Sequence, residues 1–300
     1  MGGSVTDSDA VPAATAATKR SMPKALKRFT RSFNAMLGLG ITVALVVVAL
    51  LAPLLVREDP YKVDFSKLSR KLEAPNQTAW LGRDNFGRDL YSRIVTGTRV
   101  SLVVGFSAVG VGLVVGSLLG LVAGYFGGLV DEAIMRFTDI LYAFPSILLA
   151  LALVAALGPS LVNLVVAIAF VSIPGFARIM RSSVIQVRGT ELVESARSLG
   201  AGTLRVIFKH VLPNSLAPTV ALASTAMAQA LLTEAGLSFL GLGVQPPTPT
   251  WGGILADGRE FLRTAPFMTN FAGLAILLAV VGFNLLGDGI RDALDPRSKL

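Results

Sequence analysis

Six long stretches of mostly apolar residues constrain this 300-residue chain more than any other feature of its sequence. A helix that crosses the hydrocarbon core of a bilayer needs about 20 such residues, and each stretch is of about this length. Prolines and glycines within them are compatible with spanning helices, because neighbouring helices re-satisfy the backbone groups that they expose. The sequence therefore predicts an all-α membrane protein with six transmembrane helices, at 34–56, 100–125, 137–157, 161–179, 216–240 and 267–286.

The composition excludes several classes of function. Hydrophobic residues make up 53% of the chain and charged residues 15%, whereas soluble domains have about 25% charged residues. The net charge of +8 comes from basic residues placed between apolar stretches, which argues against a nucleic-acid surface. The chain has no cysteine and one histidine, so thiolate or histidine metal sites are not expected. It also lacks a phosphate-binding Gly-Lys-Ser/Thr loop, and we predict that it is not an enzyme.

The positions of the basic residues predict the topology. Residues 1–33 are polar and then basic, and we expect a disordered cytoplasmic tail. A secretory signal is the alternative, but the following apolar stretch is too long and lacks a cleavage site. With the amino terminus inside, the cytoplasmic segments hold 16 Lys and Arg and the external segments 11. We therefore predict that both termini are cytoplasmic, with a short tail at 292–300.

The loop between the fourth and fifth predicted spans carries a short helix with recognisable ends. Thr190 is a suitable N-cap, and Gly200 is placed to end the helix in a left-handed conformation. Leu192, Ala196 and Leu199 share one face, which predicts an amphipathic helix at 191–199 on the cytoplasmic surface. A second short helix at 204–211 is expected to stop at Pro213. Such a segment can be a simple connector between two spans.

The spacing within this loop points to a more specific role. It follows the pattern Glu-Ala-Ala, three residues, Gly, nine residues, Ile-any-Leu-Pro, and departs from it at Ser195 and His210. The matching positions are Glu194, Ala196, Gly200, Leu212 and Pro213. This segment resembles the "EAA loop" of the membrane subunits of binding-protein-dependent ABC importers. The resemblance implies that 191–199 is a coupling helix that docks in a groove of a cytoplasmic ATPase. The residues implied in this contact are Glu194, Ala196, Arg197, Ser198, Leu199 and Gly200.

Two further segments, 80–102 and 237–252, are similar to C-type subunits of the dipeptide/oligopeptide permease family. In the first, Arg83 stands where the family commonly has Thr. The spacing of Asp84 with Arg88, and of Asp89 with Arg93, is that of i,i+4 ion pairs, and it predicts an interfacial helix ahead of the second span.

The second of these segments contains several prolines and glycines that stop the fifth span. It ends at Trp251, a residue type that anchors helices at membrane interfaces. We therefore expect Trp251 to lie at the lipid surface.

Together the segments imply a type I ABC importer permease, with a core of five helices at 99–291 and one additional amino-terminal helix. Residues 34–98 then comprise the first span and an external segment. The resemblance further implies a bacterial inner-membrane location and a heterodimer with a related permease. Two ATPase subunits that bind ATP and Mg and an external substrate-binding protein complete the assembly, so the chain itself needs no cofactor.

The resemblance implies di- and oligopeptides as substrates, with nickel or another small ligand as the alternative. An ion-coupled secondary transporter or a membrane scaffold would be a different class of protein. A secondary transporter predicts an internal repeat and several buried charges. The chain shows no repeat and one clear ionisable candidate, Glu234 in the fifth span. Glu234 and the nearby Gln229 either line the translocation path or serve a structural contact.

Overall fold

The computed structural model describes residues 24–294, and eleven α-helices account for most of them. The helices are α1 (Lys24–Arg31), α2 (Phe33–Leu55), α3 (Leu90–Phe126), α4 (Gly128–Tyr142), α5 (Ser146–Leu157), α6 (Leu161–Arg188), α7 (Glu191–Ser198), α8 (Thr203–Val206), α9 (Leu212–Phe239), α10 (Trp251–Gly258) and α11 (Pro266–Leu294). Short 3-10 turns lie at Phe65–Arg70 and Arg259–Phe261. The expected all-α class is confirmed.

Five helical segments are long and apolar enough to cross a membrane: α2, α3, α6, α11 and the continuous Thr203–Phe239 segment. The third predicted span is not a single helix. α4 and α5 meet at an angle of 88°, and counting this bent pair as one span gives six. The break falls at Pro145, which cannot donate the backbone hydrogen bond that would continue α4.

The amino-terminal tail differs from the expectation over the part that the structure describes. Residues 1–23 lie outside the described residues, whereas Lys24–Arg31 form the basic helix α1 rather than a disordered segment. α1 packs against α11. Residues 292–294 of the predicted carboxy-terminal tail continue α11, and 295–300 lie outside the described residues.

The glycines that recur every four residues in α3 form a close contact with α6. A Cβ added at Gly116 would lie 2.6 Å from the Ile173 carbonyl oxygen. A Cβ at Gly120 would lie within 3 Å of two backbone atoms of α6. Small residues at such a seam allow two membrane helices to approach closely. The glycine row therefore packs within this subunit, which makes α3 and α6 the centre of the bundle.

The expected stop at Pro213 is wrong. α8 continues through a π-helical turn at Ile207–Val211 directly into α9. Pro213 directly follows the π-helical turn, as the second residue of α9. The loop that carries the short helix α7 is thus joined to a long spanning helix without a flexible break.

Candidate functional site

The helix α7 forms the centre of the first candidate site, and its C-terminal end follows from its sequence. Gly200 has φ of +80°, and the Ala201 N–H donates to the Ala196 carbonyl at 3.0 Å. This is the left-handed ending that favours glycine. At the other end Thr190 has extended backbone angles, but its hydroxyl donates to the Val187 carbonyl rather than capping α7. The helix is one residue shorter than the predicted 191–199.

The two sides of α7 have different surroundings. Val193 is fully buried among Met180, Val206 and Val211. Leu192 and Leu199, which share the predicted apolar face, are instead 51% and 89% exposed. Val193 packs one side of this segment against the protein, whereas Leu192 and Leu199 form an apolar surface that a partner can contact.

A contact that the sequence analysis missed joins α7 to the end of α3. The Arg197 guanidinium donates to the Tyr125 hydroxyl at 3.2 Å, and its centre lies 5.5 Å from the Tyr125 ring. On the other side, Arg188 donates to the Tyr125 carbonyl at 2.6 Å. Since 72 residues separate Arg197 from Tyr125, no sequence periodicity predicts this contact. Arg197 therefore contacts this chain and is not wholly free for a partner.

Two ion pairs connect α6, which leads directly into α7, with α4. Asp131 of α4 accepts both hydrogen bonds of the Arg181 side chain. Asp139 accepts from Arg178 at 2.6 Å, and the Arg178 guanidinium lies 4.1 Å from the centre of the Tyr142 ring. These ion pairs join α6 to the first helix of the bent α4–α5 pair.

The two predicted path residues have different environments. Glu234 is 1% exposed and accepts hydrogen bonds from Ser101 at 3.1 Å and Ser238 at 2.7 Å. It is enclosed by α3 and α9. Gln229 is exposed and lines an open cavity of about 290 Å³ between the bent pair, α6 and α9. The structure thus brings Gln229, but not Glu234, to a cavity wall.

The segment between α2 and α3 folds into a charge-rich platform, which we define as residues 57–89 and the start of α3. Arg83 is 2% exposed and donates to both carboxylate oxygens of Glu58, at 2.9 and 2.8 Å. Lys67 lies 2.9 Å from the same carboxylate. The Arg83 hydrogen bonds, with the help of Lys67, lower the pKa of Glu58 from 4.5 to about 2.

The predicted interfacial helix is helical only from Leu90, where α3 begins and continues into the second span, and the residues before it form a turn. Asp84 and Arg88 do pair, at 2.7 Å, but in this turn. The predicted pair of Asp89 with Arg93 is wrong. Asp89 caps α3 by accepting from the Ser92 N–H at 2.9 Å, and Arg93 lies 3.3 Å from Asp84. Positive φ angles in the turn bring these charges together in a way that helical spacing cannot show.

Trp251 also differs from its expected position. It is 1% exposed, and its indole N–H donates to the Ile94 carbonyl at 3.3 Å. A Cβ at Gly97 would lie 3.3 Å from the Trp251 ring, so the glycine provides space for it. Trp251 therefore holds α10 against α3 and does not anchor the chain at the lipid surface.

Comparison with known proteins agrees with this architecture. A family model described as "Binding-protein-dependent transport system inner membrane component" matches residues 116–300. The model of the N-terminal TM domain of oligopeptide transport permease C matches residues 23–75. The chain is 47% identical to the dipeptide transport system permease protein DppC of Alkalihalophilus pseudofirmus, over 92% of this chain and 90% of that one.

Other relatives cover similar lengths. The di/tripeptide transport system permease protein DppC of Pseudomonas aeruginosa is 45% identical, over 92% of this chain and 94% of that one. The glutathione transport system permease protein GsiD of Pectobacterium atrosepticum is 44% identical, over 91% of this chain and 90% of that one.

Among solved structures, an inward-facing MetNI methionine ABC transporter shares the fold at a TM-score of 0.54 and 20% identity. The match covers 67% of this chain and 96% of that one. The family match, the relatives and the shared fold agree: the chain belongs to the binding-protein-dependent transport system inner membrane component family, the multi-pass membrane subunits of bacterial ABC importers.

Proposed function

We propose that this chain is the C-type permease subunit of an ATP-driven importer of di- and oligopeptides. Together with a related permease it forms the path for peptides that an external substrate-binding protein delivers. Two cytoplasmic ATPase subunits bind ATP and Mg and drive the cycle. The observation that carries the proposal is the 47% and 45% identity to peptide permeases along 92% of the chain.

The coupling segment, residues 189–211, supplies the contact with the ATPase. Its exposed apolar residues are Leu192, Leu199, Leu204 and Phe208. Glu194 is exposed beside them, and Gly200 sets the direction in which the chain leaves the helix. An apolar patch with a charged margin suits a groove on a protein partner. The proposed docking residues remain those implied by the loop pattern, with Arg197 also contacting Tyr125.

Movement of the ATPases tilts α7, and α6 and the α8–α9 segment follow because both are joined to it. The bent α4–α5 pair moves with α6, because Arg178 and Arg181 of α6 form ion pairs with α4. Rigid-body movements of this kind interconvert two states of a transporter, and ATP binding by the partners biases their populations. In this proposal Gln229 lines the wall of the path. Glu234 stabilises that wall through its hydrogen bonds with Ser101 of α3 and Ser238 of α9.

We place both termini in the cytoplasm. A Cβ at Gly289 of α11 would lie 2.3 Å from the Ala35 side chain, so the start of α2 and the end of α11 lie side by side. At its other end α2 reaches the platform, where the backbone N–H groups of Arg57 and Glu58 donate to Ser92. The excess of basic residues on the coupling side supports the same orientation.

ATP-dependent uptake of a radiolabelled dipeptide by the assembled complex in proteoliposomes tests this function. Glu194→Arg and Gly200→Val should each abolish uptake while the chain stays in the membrane, because they alter the docking surface and the left-handed ending. Glu132→Arg reverses a carboxylate on α4 that is 61% exposed, and it should leave uptake near the wild-type rate. Unchanged uptake in both coupling variants refutes the coupling role, and no peptide uptake by the wild-type complex refutes the peptide substrate.

A further inference from the structure

A polar cavity of about 410 Å³ lies beside the platform, between its turn, the loop after α9 and α10. This volume is within the range of small-molecule sites. Charged and amide side chains line it, including Asn85, Arg93, Gln245, Asp257, Arg259 and Glu260. Neither the coupling contact nor the cavity at Gln229 uses these residues.

Several of these groups lack partners among the described residues. The nearest cation to the Asp257 carboxylate is Arg93, at 4.0 Å, and no hydrogen bond from the described residues reaches that carboxylate. Arg93 is already engaged by Asp84 and the Pro60 carbonyl. Burial accordingly raises the pKa of Asp257. The side-chain oxygen of Asn85 is buried without a donor within residues 24–294.

Arg259 lines the same cavity. Its guanidinium lies 5.4 Å from the centre of the Phe239 ring. No carboxylate of the described residues lies within ion-pair distance of Arg259. The cavity therefore offers both a cationic donor and anionic acceptors that this chain leaves incompletely paired.

This mixture limits the kind of ligand. An apolar molecule would exclude water from Asp257, Arg259 and Glu260 without replacing its hydrogen bonds, at a cost. An inorganic anion would face Asp257 and Glu260, and a metal cation would face Arg93 and Arg259. A small zwitterion satisfies both sets, because its ammonium pairs with the carboxylates and its carboxylate pairs with Arg259.

We propose that this cavity binds the charged termini of a short peptide, with Asp257 receiving the α-ammonium group and Arg259 the carboxylate. The choice of a peptide rests on the proposed function. The cavity is then a binding station at the platform, separate from the path wall at Gln229, and it favours peptides with free termini over neutral analogues.

The absence of cysteine from the chain gives a direct test. Thr248 lines the cavity and is half-buried, so Thr248→Cys introduces a single thiol there. In the purified complex, we measure the rate at which N-ethylmaleimide alkylates this thiol, with and without alanyl-alanine. Alanyl-alanine at twice its Kd should slow alkylation about threefold. N-acetyl-alanine methylamide, which lacks both charges, should have no effect at the same concentration.

Two controls make the result specific. Adding Asp257→Asn to the Thr248→Cys background should remove the protection, because the substitution removes the charge with little change in shape. Ser66→Cys, in a separate cavity of the platform, should show no protection by alanyl-alanine. Protection that persists with Asp257→Asn contradicts the proposal. So does protection that appears only when the binding protein without peptide is added, since the surface is then a docking site for that protein.

Different results overturn the cavity assignment and the proposed function. Normal ATP-dependent peptide uptake with no protection by alanyl-alanine overturns the cavity assignment alone. Absence of uptake of any peptide by the unmodified complex overturns the proposed function.

Discussion

The platform and the coupling segment are held in place by opposite means. In the platform, Arg83 and Arg93 are buried, and their hydrogen bonds join residues as far as 33 positions apart. In the coupling segment most side chains of α7 are exposed, and its ends are fixed by local backbone hydrogen bonds. The difference indicates that the platform keeps one shape, whereas the coupling segment is attached at a few points and can move with a partner.

The energetics of the two regions follow from this arrangement. Buried charges are costly unless every partner is present, so the platform depends on its complete network. A helix of eight residues is marginal by itself, and α7 depends on packing through Val193 and on its neighbours. Substitutions should therefore affect mainly folding at one end of the molecule and mainly transport at the other.

The largest effect is expected for Arg83→Met, which leaves Glu58 and Glu73 without their buried cation. Glu58 keeps Lys67 and Glu73 keeps Arg70, so the cost is that of the lost buried hydrogen bonds, about 1–3 kcal/mol. We expect a loss of this size in the free energy of unfolding, measured by titration with sodium dodecyl sulfate. Lys62→Met is the control, because Lys62 is 85% exposed and lies 3.8 Å from Asp59. It should change stability by less than about 0.5 kcal/mol. Equal effects of the two substitutions would contradict the contrast between buried and exposed charges.

A smaller effect is expected when the platform is acidified. The pKa of Glu58 is about 2 in the folded protein, below its ordinary value of 4.5. The contribution of Glu58 is therefore complete above pH 4.5 and is lost as the pH falls towards 2. Thermal unfolding of the wild type should show this loss, and Glu58→Gln should show a shallower pH dependence over the same interval. An identical pH dependence in both proteins would exclude Glu58 as a source of acid sensitivity.

The same contrast explains what the sequence could predict. The C-terminal end of α7 depends on neighbouring residues, so the left-handed Gly200 follows from capping preferences, whereas the expected Thr190 side-chain cap does not form. The platform depends on contacts between residues that are distant in the sequence. Helical spacing could not indicate that Arg93 reaches Asp84 and Pro60, or that Trp251 is buried against α3. The 88° bend at Pro145 was missed for a related reason, because an apolar stretch indicates length but not direction.

The smallest effect on stability is expected at the contact between Arg197 and Tyr125. Arg197 is exposed, so Arg197→Gln should change the free energy of unfolding by less than about 0.5 kcal/mol. Its effect on transport should be larger, because this contact ties α7 to α3. We expect peptide uptake to fall several-fold while ATP hydrolysis by the complex continues. Arg136→Gln, on α4 outside the coupling segment and 77% exposed, is the matched control and should transport normally.

Tyr125→Phe removes the hydroxyl acceptor of this contact and leaves the ring in place. If the hydrogen bond carries the coupling, Tyr125→Phe and Arg197→Gln should reduce uptake by similar factors, and the double variant should be no worse than either single one. Additive losses would mean that the two residues act separately, with Arg197 acting through the ATPase. The coupling segment would then be fixed to the bundle by Val193 and its backbone alone, and the contrast with the platform would be sharper still.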